Sequence, residues 1–241
     1  CDLGGVPGQK FGTGPGAVLC LHGGGFAIGN SSSHAPMAGQ LAKELGRPVY
    51  VLDYRRVPEH PFPAALDDCV AAYRALLDQH APSHIAITGD SAGGALCLSL
   101  LHVCARENLA LPGAMVLMSP ACDFRPQARS ALVNGPADAI LSKRWAMQTV
   151  TAYMGVDDGT DPLISPAAQD FAAAPPSLIH YAQGEALTPQ IETAAEMLRA
   201  TGAEVTVKAF DIAYHSFQID GTPNAKASIR ETAAFMDKHL T

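Results

Sequence analysis

Short, mostly apolar runs recur along the chain at Ala17–Leu21, Pro48–Asp53, Ile85–Thr88, Ala114–Met118, Ser177–Ala182 and Glu204–Phe210. Runs this short and this apolar fit strands buried on both faces of a sheet. Between them lie stretches with helical periodicity: 34–46 closing at Gly46, Ala64 to Gln79, the run after residue 91 to about Arg106, Gln190–Thr201 and Asn224–His239. Strands alternating with helices predict an α/β fold, a mostly parallel central sheet with helices on both faces. Residues 1–16, rich in Gly and Pro, lack periodicity and read as an edge segment or broken loop. The interval from Ser119 to Pro176 breaks the rhythm and carries a helix near Ser142–Met154. It is too long for one crossover, so 120–176 is expected as a lid or pocket insertion within one domain spanning 1–241.

Composition narrows the class. With 241 residues and 48% hydrophobic content, one sizeable core is expected. A net charge of -7 argues against nucleic acid or an anionic membrane surface as partner, because no basic cluster offsets phosphate repulsion. Six cysteines occur without a C-x-x-C pair or zinc-type spacing, and several lie inside apolar runs, which reads as small core residues in a reducing compartment. No apolar stretch has the length of a membrane span and no targeting segment is visible, although the chain starts at Cys1 rather than Met. A soluble cytoplasmic protein acting on a small molecule is the expectation.

The chemistry centres on Gly89-Asp90-Ser91-Ala92-Gly93-Gly94, a G-x-S-x-G box between an apolar strand and an apolar helix. Small residues on either side of Ser91 would permit a sharp elbow that thrusts the hydroxyl outward at a helix N-terminus. Ligands of open parallel sheets gather at the carboxyl ends of the strands. Residues collected there are His22 with Gly23, Gly24 and Gly25, then Ser91, then Glu185, then His215. Serine, acid and histidine in that order suit a nucleophile, an orienting carboxylate and a general base. Glu185 competes for the acid role with Asp211, Asp161 and Asp170; His22 is read as holding the glycine loop, and the other histidines as structural.

These motifs, with Asp53-Tyr54-Arg55, Pro58-Glu59-His60-Pro61-Phe62-Pro63, Asp161-Pro162-Leu163-Ile164-Ser165-Pro166 and Tyr214-His215-Ser216-Phe217, resemble the hormone-sensitive-lipase-like branch of the α/β-hydrolases, the family IV bacterial carboxylesterases. The resemblance covers nearly the whole chain. It implies Ser91 as nucleophile, His215 as general base and acid, and Glu185 as the carboxylate behind it. It also implies the N–H groups of Gly23, Gly24, Gly25 and Ala92 as oxyanion hole, a small ester as substrate, and no metal or organic cofactor. Two positions depart from the family pattern: Gly184-Glu185-Ala186 lacks a further Asp near Pro189, and Arg56-Val57 stand where relatives commonly have Leu-Ala. Family members carry an N-terminal helical cap and two leading strands before the segment resembling Gly4-Gly5-Val6-Pro7. The cap and first strands are therefore expected to be absent or incomplete, leaving an apolar surface near Phe26 exposed and open to dimerisation. A lactone or amide hydrolase would use the same residues. A non-catalytic ligand-binding relative would lack the histidine.

Overall fold

The computed structural model describes residues 1–135 and 137–241; Pro136, inside the stretch 120–176, lies outside the described residues. Its strands are β1 (Asp2–Leu3), β2 (Val6–Phe11), β3 (Ala17–Leu21), β4 (Val49–Leu52), β5 (Ile85–Asp90), β6 (Ala114–Met118), β7 (Ser177–Ala182) and β8 (Val205–Phe210). They form one sheet in the order β1-β2-β4-β3-β5-β6-β7-β8. The β1–β2 and β2–β4 pairings are antiparallel and the others parallel, with Leu19 facing Tyr50 on one side and Ile87 on the other.

The central strands are apolar throughout because both faces are covered. From β3, Ala17, Leu19 and Leu21 enter one core while Val18 and Cys20 enter a second. In β6, Met115 and Leu117 face the first core, and Ala114, Val116 and Met118 the second. Each fully buried Leu, Val or Met is worth about 1.5–3 kcal/mol, so no polar alternation survives here. Helices α1 (Ala35–Leu45) and α7 (Pro223–His239) cover the second core. Helices α2 (Ala64–Leu77), α3 (Ala92–Glu107) and α6 (Thr188–Ala200) cover the first. The helices read from periodicity are thus present.

Within residues 1–16, read as an edge segment or broken loop, β1 and β2 are strands of the sheet, although β1 has only two residues. Gly4 and Gly5, at φ 66° and 84°, close a two-residue hairpin, a turn that needs positive φ at both positions. The glycines that build this hairpin are what gave the stretch the look of a loop. Strand β8 ends the sheet, with half-buried Val205 and Val207 alternating with exposed Thr206 and Lys208. Lys208 pairs with Glu231 of α7 at 2.5 Å, and a lysine on an edge strand discourages further strand pairing.

Between β6 and β7 run two helices, α4 (Pro126–Asn134) and α5 (Lys143–Met154). The second matches expectation; the first was not anticipated, since none of its residues is buried and no apolar stripe marks it. Among the described residues, no helix is long and apolar enough to cross a membrane. All six cysteines are free, Cys1 exposed and the others buried.

One buried polar residue makes the fold sensitive to acid. His180 of β7 is fully enclosed, with Nδ1 2.8 Å from Ser228 Oγ and Nε2 3.6 Å from Glu231. Burial pulls its pKa down to about 4, against an upward pull from Glu231. Below about pH 6.5 the unfolded chain binds a proton that the folded chain refuses, so stability falls as pH drops towards about 4, by up to about 3 kcal/mol. Urea unfolding at about pH 7 and about pH 4.5 is expected to differ less in His180→Gln than in the parent chain. An equal difference in both would remove His180 as the cause.

Candidate active site

Strand β5 ends at Asp90, the chain reverses at Ser91, and α3 starts at Ala92. Ser91 has φ 50° and ψ -117°, a conformation that costs a non-glycine residue about 1–3 kcal/mol. Its N–H donates to the carbonyl of Met118 at 2.9 Å, and its own carbonyl accepts from Ala121 at 3.0 Å. The neighbouring glycines are sterically required. A Cβ on Gly93 would lie 1.9 Å from the Leu21 carbonyl oxygen, and one on Gly89 would lie 2.5 Å from the backbone of Gly93.

His215, on the loop after β8, brings Nε2 to 2.7 Å from Ser91 Oγ. Its Nδ1 is 3.2 Å from Glu185 Oε1. Glu185 follows β7 and is almost fully enclosed, and its Oε2 accepts the Ser119 hydroxyl at 2.6 Å and the Ala182 N–H at 2.9 Å. An acceptor at Nδ1 selects the tautomer with hydrogen there, which leaves the Nε2 lone pair for the Ser91 hydroxyl. Of the alternative acids, Asp211 and Asp170 are exposed, and Asp161 accepts the N–H of Leu163 at 2.8 Å in its own turn. Glu185 therefore contacts His215, and Asp211 does not.

The glycine turn differs from expectation at one position. The N–H of Gly23 donates to Asp90 Oδ1 at 2.8 Å, so it is withdrawn from the set of oxyanion donors. Gly24 and Gly25 have φ 113° and 58°, and a Cβ on Gly24 would meet the Ile28 carbonyl at 2.2 Å. On Gly25 it would meet Trp145 and Thr149 at 2.8 Å. Among the described residues, the N–H groups of Gly24, Gly25 and Ala92 have no intramolecular acceptor. Ala92 opens α3, where the helix dipole adds to the attraction for an anion.

Behind the turn, His22 Nδ1 lies 2.7 Å from the Gly23 carbonyl, and its ring stacks on Tyr54 at 4.1 Å. Tyr54 donates its hydroxyl to the His22 carbonyl at 2.6 Å. Burial takes the His22 pKa down to about 4, so this ring is neutral and holds the loop rather than titrating near neutrality. The unusual pair at 56 and 57 also grips this loop: Arg56 donates to the Gly29 carbonyl, and the Val57 N–H to the Phe26 carbonyl at 2.9 Å.

Three partners escape motif reading. Ser119, at the start of the interval that breaks the strand–helix rhythm, donates its hydroxyl to Glu185. His34 Nε2 lies 3.0 Å from Asp90, and Asp138 reaches the His215 N–H at 3.4 Å. Asp90 and His34 are 56 residues apart, so no local pattern could have joined them.

Ser91, Gly25, Leu141 and Trp145 stand where two cavities meet. The enclosed one, about 50 Å³, is walled by Phe26, Ala92, Phe124, Val150 and Leu187. The wider one, about 410 Å³, contains His215, His34, Ile140 and Ile219. Met147 lines the enclosed cavity, while Tyr153 is core and stacks on Phe26 at 3.6 Å. Among the described residues no group of His, Cys, Asp or Glu could hold a metal ion. Burial raises the thiols of Cys20, Cys69, Cys97 and Cys122, so none of these offers a thiolate nucleophile.

Residues 18–219 match the family model described as alpha/beta hydrolase fold. An acetyl-hydrolase of Streptomyces hygroscopicus is 32% identical over 91% of this chain and 74% of its own length. A crystal structure of an esterase from the bacterial hormone-sensitive lipase family superposes with TM-score 0.94 at 33% identity, covering 100% of this chain and 84% of that one. A hormone-sensitive lipase from a metagenome library gives TM-score 0.92 at 37% identity, with coverages of 100% and 84%.

The elbow's packing has a measurable signature. Gly93→Ala drives a Cβ into the Leu21 carbonyl, and a loss of more than about 3 kcal/mol is expected in chemical denaturation. Gly202 has φ 85° but nothing within 4 Å of a Cβ placed there. Gly202→Ala is therefore expected to cost only about 1 kcal/mol in the same measurement.

Proposed function

The chain belongs to the α/β-hydrolase family, in its hormone-sensitive-lipase-like branch, and is a carboxylic ester hydrolase; we propose that it cleaves small esters by acyl transfer through Ser91. The observation that carries this reading is the unbroken chain Glu185–His215–Ser91, with contacts of 3.2 and 2.7 Å, drawn from the ends of three different strands. A serine hydroxyl is a weak nucleophile until a base takes its proton, and His215 Nε2 is within hydrogen-bond reach.

In the first half-reaction Ser91 Oγ attacks the ester carbonyl while its proton passes to His215 Nε2. The carbonyl oxygen becomes an anion held by the N–H groups of Gly24, Gly25 and Ala92. Glu185 stabilises the imidazolium that forms on His215 without itself accepting the proton. The carbon–oxygen bond to the alcohol then breaks, and Nε2 returns the proton to the departing oxygen. A water molecule, activated by the same nitrogen, attacks the acyl-Ser91 ester and releases the acid. The protein groups named supply all the proton transfers.

The positions of the cavities orient the substrate. Because Nε2 must protonate the leaving oxygen, the alcohol lies on the side of the wide cavity that contains His215. The acyl chain is then directed into the enclosed cavity of about 50 Å³. That space is the smaller of the two, which favours short acyl chains. On the same reading 120–176 is an insertion into one catalytic domain spanning 1–241, since α4 and α5 contribute walls to the enclosed cavity.

Ser91→Ala is expected to lower kcat on p-nitrophenyl acetate by at least about 10⁴-fold, and undiminished turnover would contradict the serine mechanism. Glu185→Gln is expected to lower kcat by more than about 100-fold, whereas Asp211→Asn stays within about twofold. Across p-nitrophenyl esters, kcat/KM is expected to fall by at least about 100-fold from butyrate to octanoate. Equal turnover of the two would exclude the enclosed cavity as the acyl site.

A further inference from the structure

We propose that Asp90 and His34 are positioning residues that hold the two halves of the oxyanion site in register. The inference rests on the acyl-transfer reading of Ser91 and the glycine turn, and concerns how that turn is kept in place. The oxyanion donors come from separate parts of the chain. Ala92 belongs to the elbow, just beyond Asp90 and Ser91; Gly24 and Gly25 belong to the loop after β3. Among the described residues, no hydrogen bond between the donors themselves sets their spacing.

Asp90 supplies the link. Its Oδ1 accepts the Gly23 N–H at 2.8 Å, which fixes the His22–Gly23 peptide, one unit before the peptide that carries the Gly24 N–H. The same oxygen lies 3.0 Å from His34 Nε2. The loop from Gly23 to His34 thus begins and ends on one carboxylate oxygen, and that carboxylate belongs to the residue covalently adjacent to Ser91. The fit at Gly23 is close, since a Cβ there would stand 2.2 Å from Asp90 Oδ2. Within the loop, Ser33 Oγ is 2.9 Å from His34 Nδ1 and also donates to the Asn30 carbonyl at 2.8 Å. This secures the far end of the loop as well.

A carboxylate this deeply buried requires compensation. Asp90 is 2% exposed and His34 is 4% exposed, so the pair is shielded from water. Burial alone would raise the Asp90 carboxyl, yet the facing His34 and the Gly23 N–H hold it below its ordinary range. Burial would lower His34, yet Asp90 lifts it above the ordinary imidazole value. Both directions favour the charged pair at neutral pH. His22, whose ring lies 5.6 Å from that of His34, is neutral and does not take over the carboxylate.

A buried ion pair with only a structural role would affect stability. A register device affects the oxyanion. The discriminating measurement compares a short-acyl ester with its thionoester, whose sulfur draws much less from N–H donors, in the full chain and in Asp90→Asn and His34→Gln. In the parent chain the oxygen ester reacts much faster. In each folded variant, kcat on the oxygen ester is expected to fall by about 10- to 100-fold with KM within about threefold, and the oxo/thiono ratio to fall by a similar factor. Should Asp90→Asn fail to fold, His34→Gln retains an N–H donor to Asp90 without the charge and carries the test alone. A parent-like kcat and oxo/thiono ratio in a folded variant overturns the proposal. Turnover surviving in Ser91→Ala overturns instead the acyl-transfer reading beneath it.

Discussion

The site depends first on how closely α3 approaches β3. At Gly93 the two backbones are so near that a single methyl group would sit 1.9 Å from the Leu21 carbonyl oxygen. This contact sets the entry of α3 and forces the reversal at Ser91 into a conformation that a serine does not choose by itself. The reversal is retained because the peptide groups of Ser91 are bonded to Met118 and Ala121, at and just beyond the end of β6. Backbone packing thus places the hydroxyl, and the strain at Ser91 is borne by the sheet around it.

Two buried carboxylates then divide the electrostatic work. Glu185 is surrounded by donors from Ser119, Ala182 and His215, so its orientation is determined before any substrate arrives. Asp90 faces the other way and takes the Gly23 N–H and His34. Each carboxylate is matched to one histidine, and a third histidine, His22, is kept neutral by burial. This separation matters because a carboxylate without its own partner would compete for the imidazole beside Ser91. Both acids lie within or beyond the C-terminal ends of sheet strands, where a rigid framework limits their movement.

The cavities complete the arrangement. The enclosed one draws its walls from the core residue Phe26, from Phe124, and from α4 and α5, so its size is fixed by packing between the sheet and the segment joining β6 to β7. Trp145 and Gly25 border both cavities, and the lack of a side chain at Gly25 is what admits the indole. The proposed substrate orientation follows from having His215 on one side of this border only.

The alternating pattern of the chain was sufficient for β3 to β8 and the helices around them, because strands buried on both faces must be apolar, the edge strand β8 still carries alternating valines, and Gly89, Ser91 and Gly93 mark a turn with few alternatives. The order Ser91, Glu185, His215 was legible for the same reason: each residue closely follows a recognisable strand. Tertiary structure decided the rest. The β1–β2 hairpin was hidden by the glycines that make its turn, and α4 by having no buried face. Asp211 stands on the same loop as His215, yet it is exposed, while Glu185, 30 residues away in sequence, makes the bond. The loss of the Gly23 N–H to Asp90 spans 67 residues. A sequence states which groups can donate and accept, but a hydrogen bond is assigned by distance, and distances across a sheet exist only once its strands are paired.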